Sequence, residues 1–107
     1  MSFTVKETSR FIRHMRTLPE RLLISKEQAK EAVNEILDAI EILREKGTLP
    51  PECHYSLHRL EHEPWAGFME FHALDDVLVV YADLTNKNVI RLIGIYNHEL
   101  LSSGQLD

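Results

Sequence analysis

The stretch Gly67–Ile95, GFMEFHALDDVLVVYADLTNKNVIRLIGI, decides the fold of this 107-residue chain. Apolar residues run through it in short segments around Gly67–His72, Val77–Ala82 and Val89–Ile95, a pattern that predicts β-strands. The segments break at Asp75-Asp76 and at Thr85-Asn86-Lys87-Asn88. Both breaks have turn chemistry, with Asp75 as the simple turn residue, so the strands are expected to fold back as antiparallel hairpins. A shorter segment, Tyr55–Leu60, precedes them and is expected in the same sheet.

Upstream the period changes from two to 3.6. Phe3–Lys6 alternates weakly and reads as a short first strand. Ser9 then reads as the cap of a helix to about Leu18, with Phe11, Ile12, Met15 and Leu18 on one side and Arg10, Arg13, His14 and Arg16 on the other. That polar side is either a solvated face or a surface for phosphate oxygens, which arginine forks suit. Pro19 ends or restarts the helical pattern. Ser25-Lys26-Glu27-Gln28 has the form of a capping box and opens a longer helix that Gly47 is placed to end. Ala29, Ala32, Val33, Ile36, Leu37, Ile40 and Leu43 make its apolar stripe. Glu27, Glu31, Glu35, Asp38, Glu41 and Glu45 make an acidic stripe, read as a solvated face or a seat for a basic segment.

Helices first and strands afterwards define an α+β class, here two N-terminal helices packed on one face of a small antiparallel sheet. The length allows one domain over residues 1–107, with 102–107 as a frayed tail. With 44% hydrophobic and 27% charged residues the composition is that of a globular protein, and no apolar run is long enough to span a bilayer. The N-terminus lacks the pattern of a secretory signal and Cys53 stands alone, so a cytoplasmic protein is expected. The net charge is −5. Residues 1–24 nevertheless carry five basic against two acidic side chains, a net +3 that leaves −8 for the rest.

The candidate chemistry lies in the second half. A hairpin between the strand ending at His72 and the one starting after Asp76 is expected to bring these two side chains together. A carboxylate beside an imidazole orients it for proton transfer near neutral pH. His58, Arg91 and His98 come from other strands and converge only if the sheet gathers them. Cleaving RNA without a metal needs a base for the 2′-hydroxyl proton, an acid for the 5′ oxygen and a cation for the developing charge, and histidines with an arginine meet that list. Trp65 and Tyr96 are read as base-stacking or as packing residues. A rival constellation, His54, His58 and His62, would share a helical face and hold zinc. Pro50, Pro51 and Pro64 bracket it, and in extended chain positions four apart separate by about 13 Å, so no metal site and no cofactor are expected.

In order, the marks Leu49-Pro50, His58-Arg59-Leu60, Trp65-Ala66-Gly67, Glu70-Phe71-His72, Asp75-Asp76, Tyr81, Arg91-Leu92-Ile93-Gly94 and His98-Glu99-Leu100-Leu101 resemble the YafQ branch of the RelE/ParE toxin superfamily. Three features differ from that pattern: His98 follows Gly94 by four residues rather than two, Leu101 stands where an aromatic is usual, and the chain is acidic where family members are usually basic. The resemblance implies a RelE-like fold and a type II toxin that cleaves messenger RNA on the ribosome. It also implies silencing by a cognate antitoxin, for instance a ribbon-helix-helix protein. The implied catalytic residues are His58, His72, Asp76 and His98, with Arg91 supporting phosphate binding. A ParE-like protein that binds its target without cutting RNA is the alternative.

Overall fold

Ser25 accepts a hydrogen bond from the Gln28 backbone while the Gln28 side chain accepts one from the Ser25 backbone, so the expected capping box opens the longest helix of the chain. The computed structural model describes residues 2–74 and 76–104, so the reading of Asp75 and that of residues 105–107 lie outside the described residues. In chain order the elements are β1 (Thr4–Glu7), α1 (Ser9–Arg16), α2 (Leu18–Leu22), α3 (Lys26–Lys46), β2 (Leu57–Arg59), β3 (Met69–Ala73), β4 (Val77–Leu84), β5 (Val89–Tyr96) and α4 (His98–Ser103). One sheet has the order β1-β5-β4-β3-β2, antiparallel except for the parallel β1–β5 pair. This is the expected α+β class.

The three helices before β2 share one core with the sheet. Phe11, Leu18, Leu22, Ala32, Ile36 and Leu43 pack with Phe71, Val79, Tyr81, Ile90, Leu92 and Ile95. Pro19 restarts the helix rather than only ending it, which makes α2 a separate turn. The stripe of α3 is rotated from the expected one. Ala39 is buried and Leu37 is 49% exposed, because a helix with 3.6 residues per turn cannot bury both. The acidic stripe is also not wholly in solvent: the Leu74 backbone N–H donates to Glu35 Oε1 at 3.0 Å and the Tyr55 hydroxyl to Asp38 Oδ2 at 2.8 Å.

The start of α1 differs from the expectation too. Thr8 is the cap rather than Ser9, and its hydroxyl both accepts from the Phe11 N–H and reaches the Leu92 and Ile93 carbonyls, tying the helix to β5. His14, expected on the polar side with the arginines, is buried, while Ile12 is exposed. The reason is a gap in the sheet. Strand β1 ends at Glu7, opposite Leu92, so the edge of β5 beyond that point has no strand partner. His14 Nδ1 accepts the Ile95 N–H at 2.9 Å and Arg21 Nε donates to the Ile95 carbonyl at 2.7 Å. Side chains thus take the place of a strand, as buried backbone polar groups require. Gly94 belongs to the same arrangement, since a Cβ there would lie 2.7 Å from the Tyr96 hydroxyl and 2.9 Å from His14 Nδ1.

A register shift between Val80 and Tyr81 leaves Ile93 unpaired in β5, the mark of a β-bulge. The bulge changes the parity of the strand. Ile90 and Leu92 before it and Ile95 after it all face the helix-side core, while Tyr96 turns to the other face. There Trp65, Val80 and Tyr96 form a second, smaller core, edged by Leu60, Phe68, Ile93, Leu100 and Leu101. Helix α4 lies on this face, so the segment expected to fray is helical through Ser103.

Two predictions follow from this packing. Ile36 is fully buried, so Ile36→Ala should cost about 2–5 kcal/mol in chemical denaturation, whereas Leu37→Ala should cost under about 1 kcal/mol. Equal losses would place the stripe wrongly. Burial, assisted by Asp83, pushes the Tyr81 hydroxyl above the ordinary tyrosine range; burial and then the bond to Asp38 do the same for Tyr55. The folded state therefore holds these protons more tightly than the unfolded one. Their stabilising effect is complete below the unfolded value of about 10 and is lost as pH rises above it. Melting temperature should fall above about pH 10, and less steeply in Tyr81→Phe; the same slope in both proteins would exclude Tyr81 as a cause.

Candidate functional site

Alternation along β3 sends Met69, Phe71 and Ala73 toward the helices and leaves Glu70 and His72 on the face of the second core. Register completes the cluster. His58 of β2 is directly opposite Glu70, and its Nδ1 lies 3.4 Å from Glu70 Oε1. His72 Nε2 lies 3.1 Å from the same oxygen. The His58 and His72 rings are 5.3 Å apart by centroid, and those of His72 and His98 are 5.6 Å apart. Three imidazoles thus form a row across the sheet end, with His58 and His98 well exposed and His72 half-buried.

The two carboxylates divide the histidines between them. The sequence paired His72 with Asp76, but the structure pairs His72 with Glu70 and gives Asp76 to His98. Asp76 Oδ1 accepts the backbone N–H of His98 at 2.9 Å and also bonds its Nδ1. The reason is the register. Leu74 adopts a left-handed φ of 55° before β4, and the β4–β5 register pairs Leu78 with Tyr96, so that Asp76, two residues before Leu78, meets His98, two residues after Tyr96. Each imidazole has one nitrogen beside a carboxylate oxygen.

Glu70 is the residue that the sequence reading missed as a site residue. It is 7% exposed, and its Oε2 has no hydrogen-bond partner among the described residues. The available signal was its spacing, two residues before His72 on a period-two strand, which puts both on one face. His58, Glu70 and His72 also offer ligand atoms within 4.8 Å of one another, a set that could hold a metal ion with small adjustments. The rival trio is not brought together; only its His58 belongs to this group.

Trp65 and Tyr96 are not platforms for bases. They are 4% and 0% exposed and pack edge to face at 4.8 Å, because the second core needs their area. Their contribution is to position. Trp65 Nε1 donates to the Leu101 carbonyl at 2.8 Å, and the Asn97 side chain caps α4, so both ends of the short helix that begins with His98 are fixed. Between Gly94 and His98, Ile95 and Tyr96 complete β5 and Asn97 supplies this cap. Arg91 shares the face but not the cluster. It pairs with Ala82, four residues along β4 from Leu78, the partner of His72, which is roughly 13 Å along the strand. Arg13 and Arg16 are exposed on α1 and Arg10 is half-buried.

The fold matches those of toxins of known structure. The YafQ protein in the Escherichia coli DinJ–YafQ toxin–antitoxin complex is 20% identical, with 94% of this chain and 98% of that one covered and a TM-score of 0.60. For the archaeal RelE–RelB complex of Pyrococcus horikoshii the values are 17%, 91%, 96% and 0.59. For a metal-bound toxin from Helicobacter pylori they are 19%, 92%, 98% and 0.59. No curated protein matches the chain. Residues 3–103 match the model of the YafQ family, bacterial toxins of type II toxin–antitoxin systems, and the chain belongs to that family.

A buried carboxylate with an unpartnered oxygen costs stability that an apolar side chain of similar size does not. Glu70→Leu should therefore keep or raise the melting temperature while removing whatever activity depends on His58 and His72. A loss of several degrees would mean that Glu70 holds the fold together instead.

Proposed function

We propose that this toxin is an endoribonuclease that cuts messenger RNA on the ribosome, and that a cognate antitoxin silences it. The row of His58, His72 and His98 held by Glu70 and Asp76 carries the reading. His72 or His58 takes the proton of the 2′-hydroxyl as its oxygen attacks phosphorus. His98, oriented by Asp76, gives a proton to the 5′ oxygen as the P–O5′ bond breaks. The products are a 5′-hydroxyl end and a 2′,3′-cyclic phosphate, which water opens to a 3′-phosphate. Rings less than 6 Å apart let one phosphate touch both partners. Arg91, roughly 13 Å along the strands from the cluster, meets the RNA backbone beyond the scissile bond, and the Arg10, Arg13 and Arg16 side of α1 meets ribosomal phosphates. An antitoxin partner is supported by the family and by the complexes in which the YafQ and RelE relatives were solved.

A second reading has a specific observation behind it. His58, Glu70 and His72 lie within ligation distance of one another, and the Helicobacter pylori toxin of the same fold was solved with metal bound. A cation at this position would occupy the nitrogens and the carboxylate that acid–base chemistry uses.

Primer extension and end-group analysis on translating ribosomes separate these readings. Cutting should persist in chelator, and His98→Gln and His72→Ala should each slow it about 100- to 10,000-fold without loss of folding. The triple alanine variant of Arg10, Arg13 and Arg16 should weaken ribosome binding and flatten its salt dependence. Cutting that stops in chelator and returns with zinc would establish the cation reading. A well-folded protein that arrests growth without cutting RNA would instead be a binding toxin of the ParE kind.

A further inference from the structure

Away from the histidine row, the same face of the sheet carries two cations that register brings together. Strand β1 runs parallel to β5 with Lys6 directly beside Arg91. Val5 packs against the larger core, and Ile90 and Leu92 belong to it, so alternation turns both Lys6 and Arg91 to the face of the second core. Both are exposed, and neither forms an ion pair among the described residues. Neighbouring strands lie about 4.8 Å apart, and like charges side by side at that spacing cost stability. The pair is relieved only when an anion sits over it.

The carboxylates nearest in the chain do not supply that anion. Glu7 alternates to the helix side, where it lines a cavity with Leu37 and Ile40, and Asp83 alternates the same way and accepts the Thr85 backbone N–H at 3.0 Å. The rest of the cross-strand row indicates the kind of anion. On its other side Arg91 is paired with Ala82, whose methyl group leaves the row open. Phe68 stands one step before the Met69–Tyr81 pair, half-buried at the border of the second core. Two cations with an aromatic in the same row suit a nucleotide of a single strand, which offers a phosphate and a flat base together. An acidic peptide has no use for the aromatic.

We propose that Lys6 and Arg91 together clamp a backbone phosphate of single-stranded RNA, with Phe68 against a neighbouring base, as a subsite separate from the histidine row. The proposal rests on the reading that RNA is the substrate, and it adds where the strand runs. Arg91 lies roughly 13 Å along the strands from the level of His72, so the clamp and the row hold different phosphates of one chain. Strand β1 is then more than a sheet edge: its parallel pairing gives the subsite a second cation that β5 alone does not provide.

The test uses the full chain and a short labelled RNA with 2′-O-methyl groups, which cannot be cut through the 2′-hydroxyl, so binding is read apart from cleavage. In fluorescence anisotropy Lys6→Gln and Arg91→Gln should each weaken binding several-fold and lower the slope of log affinity against log salt by about 0.7. Phe68→Leu should weaken binding with the slope unchanged, and Lys30→Gln, on α3, should change neither. Lys6→Gln should also keep or raise the melting temperature at low salt, because it removes a repulsion. Backbone amide shifts caused by the RNA should cluster at Lys6, Ala82 and Arg91. An unchanged salt slope in Lys6→Gln, an equal effect of Lys30→Gln, shifts on another face, or tighter binding of a polyglutamate peptide than of the RNA would overturn the proposal. RNA held here by a toxin that does not cut would defeat only the nuclease reading. Ribosomal cutting with RNA binding unaltered in Lys6→Gln would defeat only the clamp.

Discussion

The pairing of β4 with β5 has to bury apolar side chains on both faces of the sheet, and the bulge at Ile93 is what lets one strand meet both demands. Without the extra residue, Ile95 would share a parity with Ile93 and turn away from the helices. With it, Ile90, Leu92 and Ile95 all reach the larger core and Tyr96 reaches the smaller one. The same bulge lies where Thr8 meets β5 and just ahead of the edge that His14 and Arg21 close. The helices, the strand edge and the second core are therefore all set by the register of one strand pair.

The site is built on that second core. Trp65 packs against Tyr96 and holds the end of α4, so His98 is placed by buried aromatic area rather than by a loop. Glu70 sits at the boundary between core and solvent and divides one oxygen between two histidines. Burying it costs stability, and the fold tolerates the cost where the imidazoles need a fixed orientation. Sites commonly hold groups in this way, with stability given up where chemistry is done.

Charge is arranged on the same plan. Helix α1 carries Arg10, Arg13 and Arg16 without an acidic residue, whereas α3 mixes Lys26, Lys30, Arg44 and Lys46 with its carboxylates. The carboxylates gather on α3 and at the β3–β4 turn, and two of them are tied to the body of the fold, Glu35 through Leu74 and Asp38 through Tyr55.

Sequence alone determined the elements, because local chemistry is enough for them. Ser25 and Gln28 specify where α3 starts, Gly47 where it ends, and the period-two runs with their polar breaks specify β3, β4 and β5. The candidate histidines were legible for the same reason: His58, His72 and His98 stand on or beside such runs. What only the tertiary structure decided were the partnerships. A pattern of periods does not say that β1 stops short along β5, so it cannot show that His14 is drawn inward to complete an edge. Nor does it say that a bulge turns Tyr96 into the second core, or that the β4–β5 register brings Asp76 to His98 and leaves His72 to Glu70. Register and turn geometry join residues that are far apart in the chain, and those two quantities are fixed by packing rather than by any short stretch of sequence.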